Sequence, residues 1–219
     1  MSLNIHERNM VARRAAREIG PGSMVHLGSG LPQLVADFVP NDWNVLFYFP
    51  HGLLRFGPLP YRGEDPSLSS EGEALLVPSP GTSLFDTTVA YGMVRRGKLD
   101  IAFFGALQVS SRGDLANWIV PGKKVYGIGG VSELARGAKR VVALMSHLNR
   151  EGEPKVVREC TLPVTAIRCV DAIITERAVI EVTEQGLLLT EVLYPYKLED
   201  VVNHTGASLH ISERLIISD

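Results

Sequence analysis

Met24-Val25-His26-Leu27-Gly28-Ser29-Gly30-Leu31-Pro32 is the stretch on which the fold reading turns. Four mostly apolar residues read as a short buried strand. Two glycines then allow a sharp turn, and Pro32 suits the first turn of a following helix, where its missing N–H costs nothing. That helix carries Leu34, Val35 and Phe38 as its apolar residues. A strand, a glycine turn and a helix in this order form the first half of a strand–helix–strand unit, and the second strand is expected over 44–49, ending at Pro50.

The same alternation continues on both sides. Residues 5–19 read as an amphipathic helix, with Ile5, Met10, Ala12, Ala15, Ala16 and Ile19 on one stripe, stopped by Gly20-Pro21-Gly22. Residues 57–73 are rich in Gly, Pro, Ser and acids and read as a long exposed loop of the kind that often binds or covers ligands. A strand is expected over 74–77, a helix over 84–96 and a strand over 100–104. Further strands are expected over 141–145, 172–175, 179–182 and 187–193. The pattern predicts an α/β fold: an open, mostly parallel sheet flanked by helices, with some antiparallel strands in the strand-rich C-terminal third. No repeat or linker divides the sequence, so a single domain over 1–219 is expected.

Composition removes several classes of function. The formal net charge is -2, which supplies no basic field for nucleic acid. No apolar run approaches the roughly 18 residues of a membrane span. The first residues lack the apolar core of a signal peptide, so a cytoplasmic location is expected, with no membrane partner. Cys160 and Cys169 are the only cysteines. Their spacing fits no zinc pattern, and no metal site is expected; the reading is two buried, reduced thiols.

The glycine turn admits more than one role. Free backbone N–H groups at the start of a helix attract an anionic or carbonyl oxygen. A dinucleotide site is disfavoured, because the third glycine of that fingerprint is absent and the next strand ends in Phe49-Pro50 rather than an acid. What remains is either a tight turn that only glycine fits or an acyl-group oxyanion site around Gly28 and Gly30.

Several further segments share one identity. They are Val25 through Pro32; Gly52-Leu53-Leu54; Gly57-Pro58; and Pro80-Gly81-Thr82-Ser83-Leu84-Phe85-Asp86. Gly105-Ala106-Leu107-Gln108-Val109-Ser110 runs on through Gly113-Asp114-Leu115-Ala116-Asn117-Trp118 to Pro121-Gly122-Lys123. Then come Gly127-Ile128-Gly129-Gly130, Gly137-Ala138-Lys139-Arg140-Val141 and Glu159-Cys160-Thr161-Leu162-Pro163. In order and spacing, over about residues 10–195, the chain resembles the B (beta) subunits of family I CoA-transferases, the 3-oxoacid and glutaconate CoA-transferases.

The resemblance implies a CoA-transferase fold of the NagB/RpiA-like type. It also implies a homologous A (alpha) subunit in an A2B2 heterotetramer and an acyl-CoA substrate, with coenzyme A as a substrate moiety and no permanently bound cofactor. In that family a B-subunit Glu attacks the acyl-CoA, and an anhydride and then a glutamyl-CoA thioester follow. Gly28, Gly30, Gly52, Gly129 and Gly130 would form the turns that stabilise the oxyanion, with Gln108 and Asn117 nearby. Each glycine also has a purely conformational reading, and Asn117 reads equally as a turn residue.

One position departs from the family. Its Ser-Glu-Asn-Gly-Leu-Leu matches Phe49-Pro50-His51-Gly52-Leu53-Leu54 here, so Pro50 stands at the nucleophile. Proline has no nucleophilic atom to offer. The leading expectation is therefore a reaction without a covalent intermediate, such as decarboxylation of a glutaconyl-type or 3-oxo acyl-CoA. His51 would act as acid or base, and Arg55, where the family usually has Gly, would pair with a substrate carboxylate. His51 as a neutral turn histidine and Arg55 as a solvated cation stay open beside these roles. Two alternatives stand: conventional transfer through another carboxylate, with Glu71 and Glu73 nearest in sequence or one from the partner, and a non-catalytic subunit whose Tyr48 and Phe49 fill the old pocket.

Overall fold

The computed structural model describes residues 3–56, 78–122 and 127–218. The expected loop over 57–73, the expected strand over 74–77, and Glu71 and Glu73 lie outside the described residues.

The first helix, α1 (Ile5–Ala16), starts at Asn4, whose side chain accepts from the Glu7 N–H while Glu7 reaches back to the Asn4 N–H. Such a capping box satisfies two otherwise unpaired donors. The helix is shorter than the expected 5–19. The N–H groups of Arg17, Glu18 and Ile19 bond to the carbonyl three residues back, so the chain tightens out of α geometry before Gly20. Strand β1 (Met24–Leu27) follows as expected. Residues Leu31–Phe38 form a 3-10 helix where an ordinary helix was expected. Pro32, Val35 and Phe38 recur every third residue, as do Leu31 and Leu34, and a helix of three residues per turn places each set on one face. A short 3-10 turn, Asn41–Trp43, leads into β2 (Leu46–Phe49).

The remaining elements are β3 (Leu53–Phe56), β4 (Pro78–Leu84), α2 (Thr87–Arg95), β5 (Ile101–Gly105), β6 (Gln108–Ser110), β7 (Leu115–Ala116), α3 (Val131–Gly137) and β8 (Arg140–Leu144). After them come β9 (Val156–Val157), β10 (Ala172–Ile174), β11 (Ala178–Thr183), β12 (Gly186–Leu193), α4 (Leu198–Asn203) and β13 (Leu209–Ser218). Leu84 closes β4 rather than opening a helix. Asp86 caps α2 by accepting from the Thr88 N–H, which sets its start at Thr87.

Among the described residues, ten strands join in one sheet, in the order β13-β12-β11-β10-β8-β5-β1-β2-β3-β4. The centre, β10-β8-β5-β1-β2, is wholly parallel. Antiparallel β11 and β12 flank it on one side, and antiparallel β3 and β4 on the other. A smaller sheet, β7-β6-β9, lies apart. The α/β, mostly parallel architecture with antiparallel additions is therefore as expected. β1 pairs with β2 on one edge and with β5 on the other, so the chain reverses its direction of progress across the sheet at β1.

Alternation in the central strands divides the core. Val25, Leu27, Ile101, Phe103, Val142 and Leu144 pack with Val11, Ala12 and Ala15 of α1. Ala102, Phe104, Val141 and Ala143 face the other way, toward Ala90 and Val94 of α2 and Leu134 of α3. Burying a side chain such as Phe103 or Phe104 stabilises the fold by roughly 2 kcal/mol.

A chain of ion pairs ties α1 to the sheet. Arg14 meets Glu191 of β12 at 2.5 Å and Glu18 at 2.8 Å. Arg140 bridges Glu18 at 3.0 Å and Glu181 at 2.8 Å.

Candidate active site

In an open parallel sheet the chain leaves a crevice beyond the carboxyl ends of the strands, at the point where strand order reverses. Here that edge gathers Gly28 after β1, Pro50-His51-Gly52 after β2, and Gly105 and Ala106 at the end of β5.

Gly28 is buried, and its N–H donates to the Phe103 carbonyl at 2.9 Å. That donor extends the β1–β5 ladder. A side chain at Gly28 would meet the Phe103 carbonyl at 3.0 Å. Ser29 and Gly30 are the exposed part of the turn. Gly30 has φ +82°, and its carbonyl accepts from the Gln33 N–H.

Pro50, His51 and Gly52 form the hairpin turn between β2 and β3, closed by the Gly52 N–H donating to the Phe49 carbonyl at 3.1 Å. Proline is favoured at the second position of such a turn and glycine at the fourth, so the local sequence accounts for the bend. Gly52 has φ +105°, and an added methyl group would lie 1.8 Å from the Phe85 carbonyl oxygen. Pro50 is buried, and its carbonyl accepts from the Thr87 hydroxyl at 2.8 Å. The Phe85 N–H donates to the Gly52 carbonyl at 2.9 Å. The turn is thus fastened on both sides to the start of α2. His51 is exposed, with its ring tilted against Phe49 at 5.5 Å between centroids.

α2 also reaches the second glycine pair. Gly130 starts α3, and a side chain there would strike the Tyr91 hydroxyl at 1.9 Å. Gly129 is exposed with φ +55°. Gly130 and the Pro50–Gly52 turn therefore share α2 as a common support.

The other expected residues are held elsewhere. Gln108 uses its side-chain oxygen to accept from the Thr161 and Leu162 N–H groups at 2.9 and 3.0 Å. Asn117 accepts from the Thr165 hydroxyl at 2.7 Å. Both clamp the segment 161–165. Arg55 adopts φ +58°, its carbonyl accepts from the Thr82 hydroxyl, and its guanidinium lies along Gly81. Phe49 and Tyr48 are buried.

His26 is a buried polar residue close to the glycine turn that the residue pattern did not single out. It sits on β1 two residues before Gly28, fully buried against Phe104. Its Nδ1 lies 3.1 Å from the Tyr48 carbonyl, which makes Nδ1 the protonated nitrogen, and its Nε2 has no partner among the described residues. Burial pushes its pKa down to about 4, so it is neutral at pH 7. An imidazole in an otherwise apolar strand was the available signal.

The cysteines are partly rather than fully buried and form no disulfide; their thiols donate to the Asp114 and Ala166 carbonyls. Burial, helped by nearby carboxylates, raises the Cys160 thiol to about 11 and the Cys169 thiol to about 12, so neither offers a thiolate at neutral pH. Among the described residues no three His, Cys, Asp or Glu side chains group as metal ligands, and no helix is long and apolar enough to cross a membrane.

Known proteins share this architecture. The chain is 47% identical over 212 residues to the "Probable coenzyme A transferase subunit beta" of Bacillus subtilis, covering 96% of this chain and 98% of that one. The acyl-CoA transferase YdiF from Escherichia coli O157:H7 superposes with a TM-score of 0.78 at 22% identity, over 100% of this chain and 44% of that one. The decarboxylase AibA/AibB superposes with a TM-score of 0.71 at 22% identity, over 99% of this chain and 90% of that one. The family model described as Coenzyme A transferase matches residues 8–204. By that match, which spans most of its length, the chain belongs to the coenzyme A transferase family.

Proposed function

We propose that the chain is the B subunit of a heteromeric enzyme that works with a homologous A subunit on an acyl-CoA thioester, without a covalent acyl-enzyme intermediate. Decarboxylation of a glutaconyl-type or 3-oxo acyl-CoA is the reaction that fits best. The observation that carries this reading is Pro50: buried, bonded through its carbonyl to Thr87, and set in a hairpin turn at the carboxyl end of β2. No side-chain nucleophile can act from that position. Asp86, which follows Phe85 where that residue bonds to the Gly52 carbonyl, is turned toward its own helix by bonds from the Thr88 N–H and hydroxyl.

In the proposed reaction the C–C bond to the substrate carboxylate breaks and CO2 leaves. The electron pair passes into the thioester as an enolate, which the backbone donors of the Ser29-Gly30 and Gly129-Gly130 turns would stabilise. His51, exposed beside the turn, is the group placed to return a proton to carbon. Lack of a carboxylate at Pro50 removes a charge that would repel the substrate carboxylate on binding. Arg55 reaches the substrate carboxylate only by leaving Gly81. The fold is compatible with such chemistry, since AibA/AibB, a decarboxylase, shares it.

Conventional CoA transfer is the second reading, favoured by the 47% identity to a protein named as a transferase subunit. It requires a carboxylate from Glu71, Glu73 or the partner. A purely supporting role would leave the complex dependent on the A subunit alone.

The test is co-expression with the A subunit and incubation with glutaconyl-, 3-methylglutaconyl- and acetoacetyl-CoA, following CO2, free thiol and new thioesters. The expected result is CO2 release with the thioester retained. Exchange of CoA onto an added acid, or a borohydride-trapped glutamyl-CoA adduct on either subunit, would sink the decarboxylation reading.

A further inference from the structure

At the opposite edge of the parallel strands from the glycine turns lies a second, open groove of about 1060 Å³. It runs along the loops that precede β10 and join β11 to β12. Its volume is that of a ligand-binding cleft rather than of a flat protein interface.

Three arginines from three separate segments face it: Arg112, Arg158 and Arg168. All three are exposed, and none has an ion-pair partner among the described residues. Their backbones, by contrast, are fixed. The Arg112 N–H donates to the Ser110 hydroxyl at 3.2 Å. The Arg158 N–H donates to the Gly206 carbonyl at 3.1 Å, and its carbonyl accepts from the Ser111 hydroxyl at 3.0 Å. The Arg168 N–H donates to the Asp114 carboxylate at 3.0 Å. Gly113 draws these segments together: both the Cys169 and Val170 N–H groups donate to its carbonyl, and a methyl group on it would lie 2.6 Å from the Val170 carbonyl. Arg168 holds φ +47°, a conformation a non-glycine residue adopts against a local preference.

The remaining charged groups narrow the ligand. Asp171 and Glu184 also line the groove, with His210 near them. Asp171 is partly engaged, since its carboxylate accepts from the Val141 N–H at 2.7 Å. A ligand made only of phosphate would meet two carboxylates as well as three guanidinium groups. A nucleotide uses both: guanidinium forks match phosphate oxygens, while carboxylates accept from ribose hydroxyls or an exocyclic amine.

We propose that the groove lined by Arg112, Arg158 and Arg168 binds a phosphorylated nucleotide, at the sheet edge away from the proposed acyl site. The proposal is independent of the decarboxylation reading. Two sources share this chemistry: the nucleotide end of a CoA molecule and a separate free nucleotide.

Isothermal titration of the full chain with adenosine 3′,5′-bisphosphate, ADP, CoA, pantetheine and inorganic phosphate tests it. Saturable binding of a nucleotide, tighter than about 1 mM, is expected. It should weaken at least tenfold in Arg112→Gln/Arg158→Gln and fall steeply with added salt. Arg168→Gly, which keeps the backbone conformation while removing the charge, should weaken it as well, and unchanged thermal melting would confirm that both variants are folded. Binding of CoA and adenosine 3′,5′-bisphosphate without ADP assigns the CoA nucleotide; ADP binding without CoA assigns a free nucleotide. The proposal is overturned if no nucleotide saturates, if folded arginine variants bind as the parent does, or if inorganic phosphate binds as tightly as the nucleotides.

Discussion

At Gly52 a methyl group has no room, because the obstructing atom is the Phe85 backbone carbonyl and the φ of +105° disfavours any side chain. Gly30 also has a positive φ, yet nothing lies within 4 Å of an added methyl. Gly52→Ala should therefore lower stability by about 3 kcal/mol or more and Gly30→Ala by about 1 kcal/mol, read from urea denaturation. Equal losses would show that sterics at the turn are not what fixes it. His51 sits on the same turn but is exposed, so His51→Ala should leave stability nearly unchanged while kcat for CO2 release drops roughly 100-fold. Full activity in that variant would remove His51 as the proton donor. The residue names alone made Pro50-His51-Gly52 conspicuous. They did not reveal that Pro50's carbonyl is tied to Thr87, nor that Gln108 and Asn117 spend their side chains on segment 161–165, since those bonds join residues 37 to 54 positions apart.

Among the elements, α1 depends on one buried contact more than on its surface charges. Glu191 is nearly inaccessible, with 5% of its side chain exposed, and Arg14 is its cationic partner at 2.5 Å. Removing one member of a buried pair strands the other, at a cost of about 3–5 kcal/mol, whereas an exposed pair contributes about 0–1 kcal/mol. Arg14→Ala should thus destabilise the protein by about 3 kcal/mol. Arg95→Ala, which breaks a surface pair with Glu133 at 61% and 42% exposure, should change stability by less than about 1 kcal/mol. Comparable chemical-denaturation midpoints for the two variants would contradict this ranking. The central strands were readable from their apolar runs. β4 was not, because Pro78, Pro80 and Gly81 mark it as a loop; it is tolerated as a strand because it lies at the sheet's edge, where a missing donor is harmless. β13 was missed because Ser212-Glu213-Arg214 interrupts its apolar residues, and four residues there bulge against Thr190 alone.

The whole molecule carries a pH dependence set by two buried imidazoles. Burial lowers His26 to about 4, and burial followed by the charges of Arg177, His204 and Lys155 lowers His147 to about 3. In the unfolded chain both titrate near 6.5, so between that pH and their folded values the unfolded state binds more protons. Stability is therefore full above about pH 6.5, falls as pH drops toward 4, and in His26's case stops changing below that. For His26 the loss is about 3 kcal/mol. Urea midpoints from pH 7.5 to 4.5 should show the decline, and His26→Gln should flatten part of it; an unchanged slope in that variant would exclude His26 as a contributor. Sequence by itself determined the strand–turn–helix alternation, the family, and the lack of a nucleophilic side chain at Pro50, because periodicity, glycine turns and residue chemistry are local properties. Tertiary structure decided the rest: that the turns after β1 and β2 share one sheet edge, that α2 fastens the Pro50 turn and abuts Gly130, that His26 is buried beneath the site, and that three distant arginines face one groove. Strand order and long-range packing set those relations, and neither is encoded in any window of neighbouring residues.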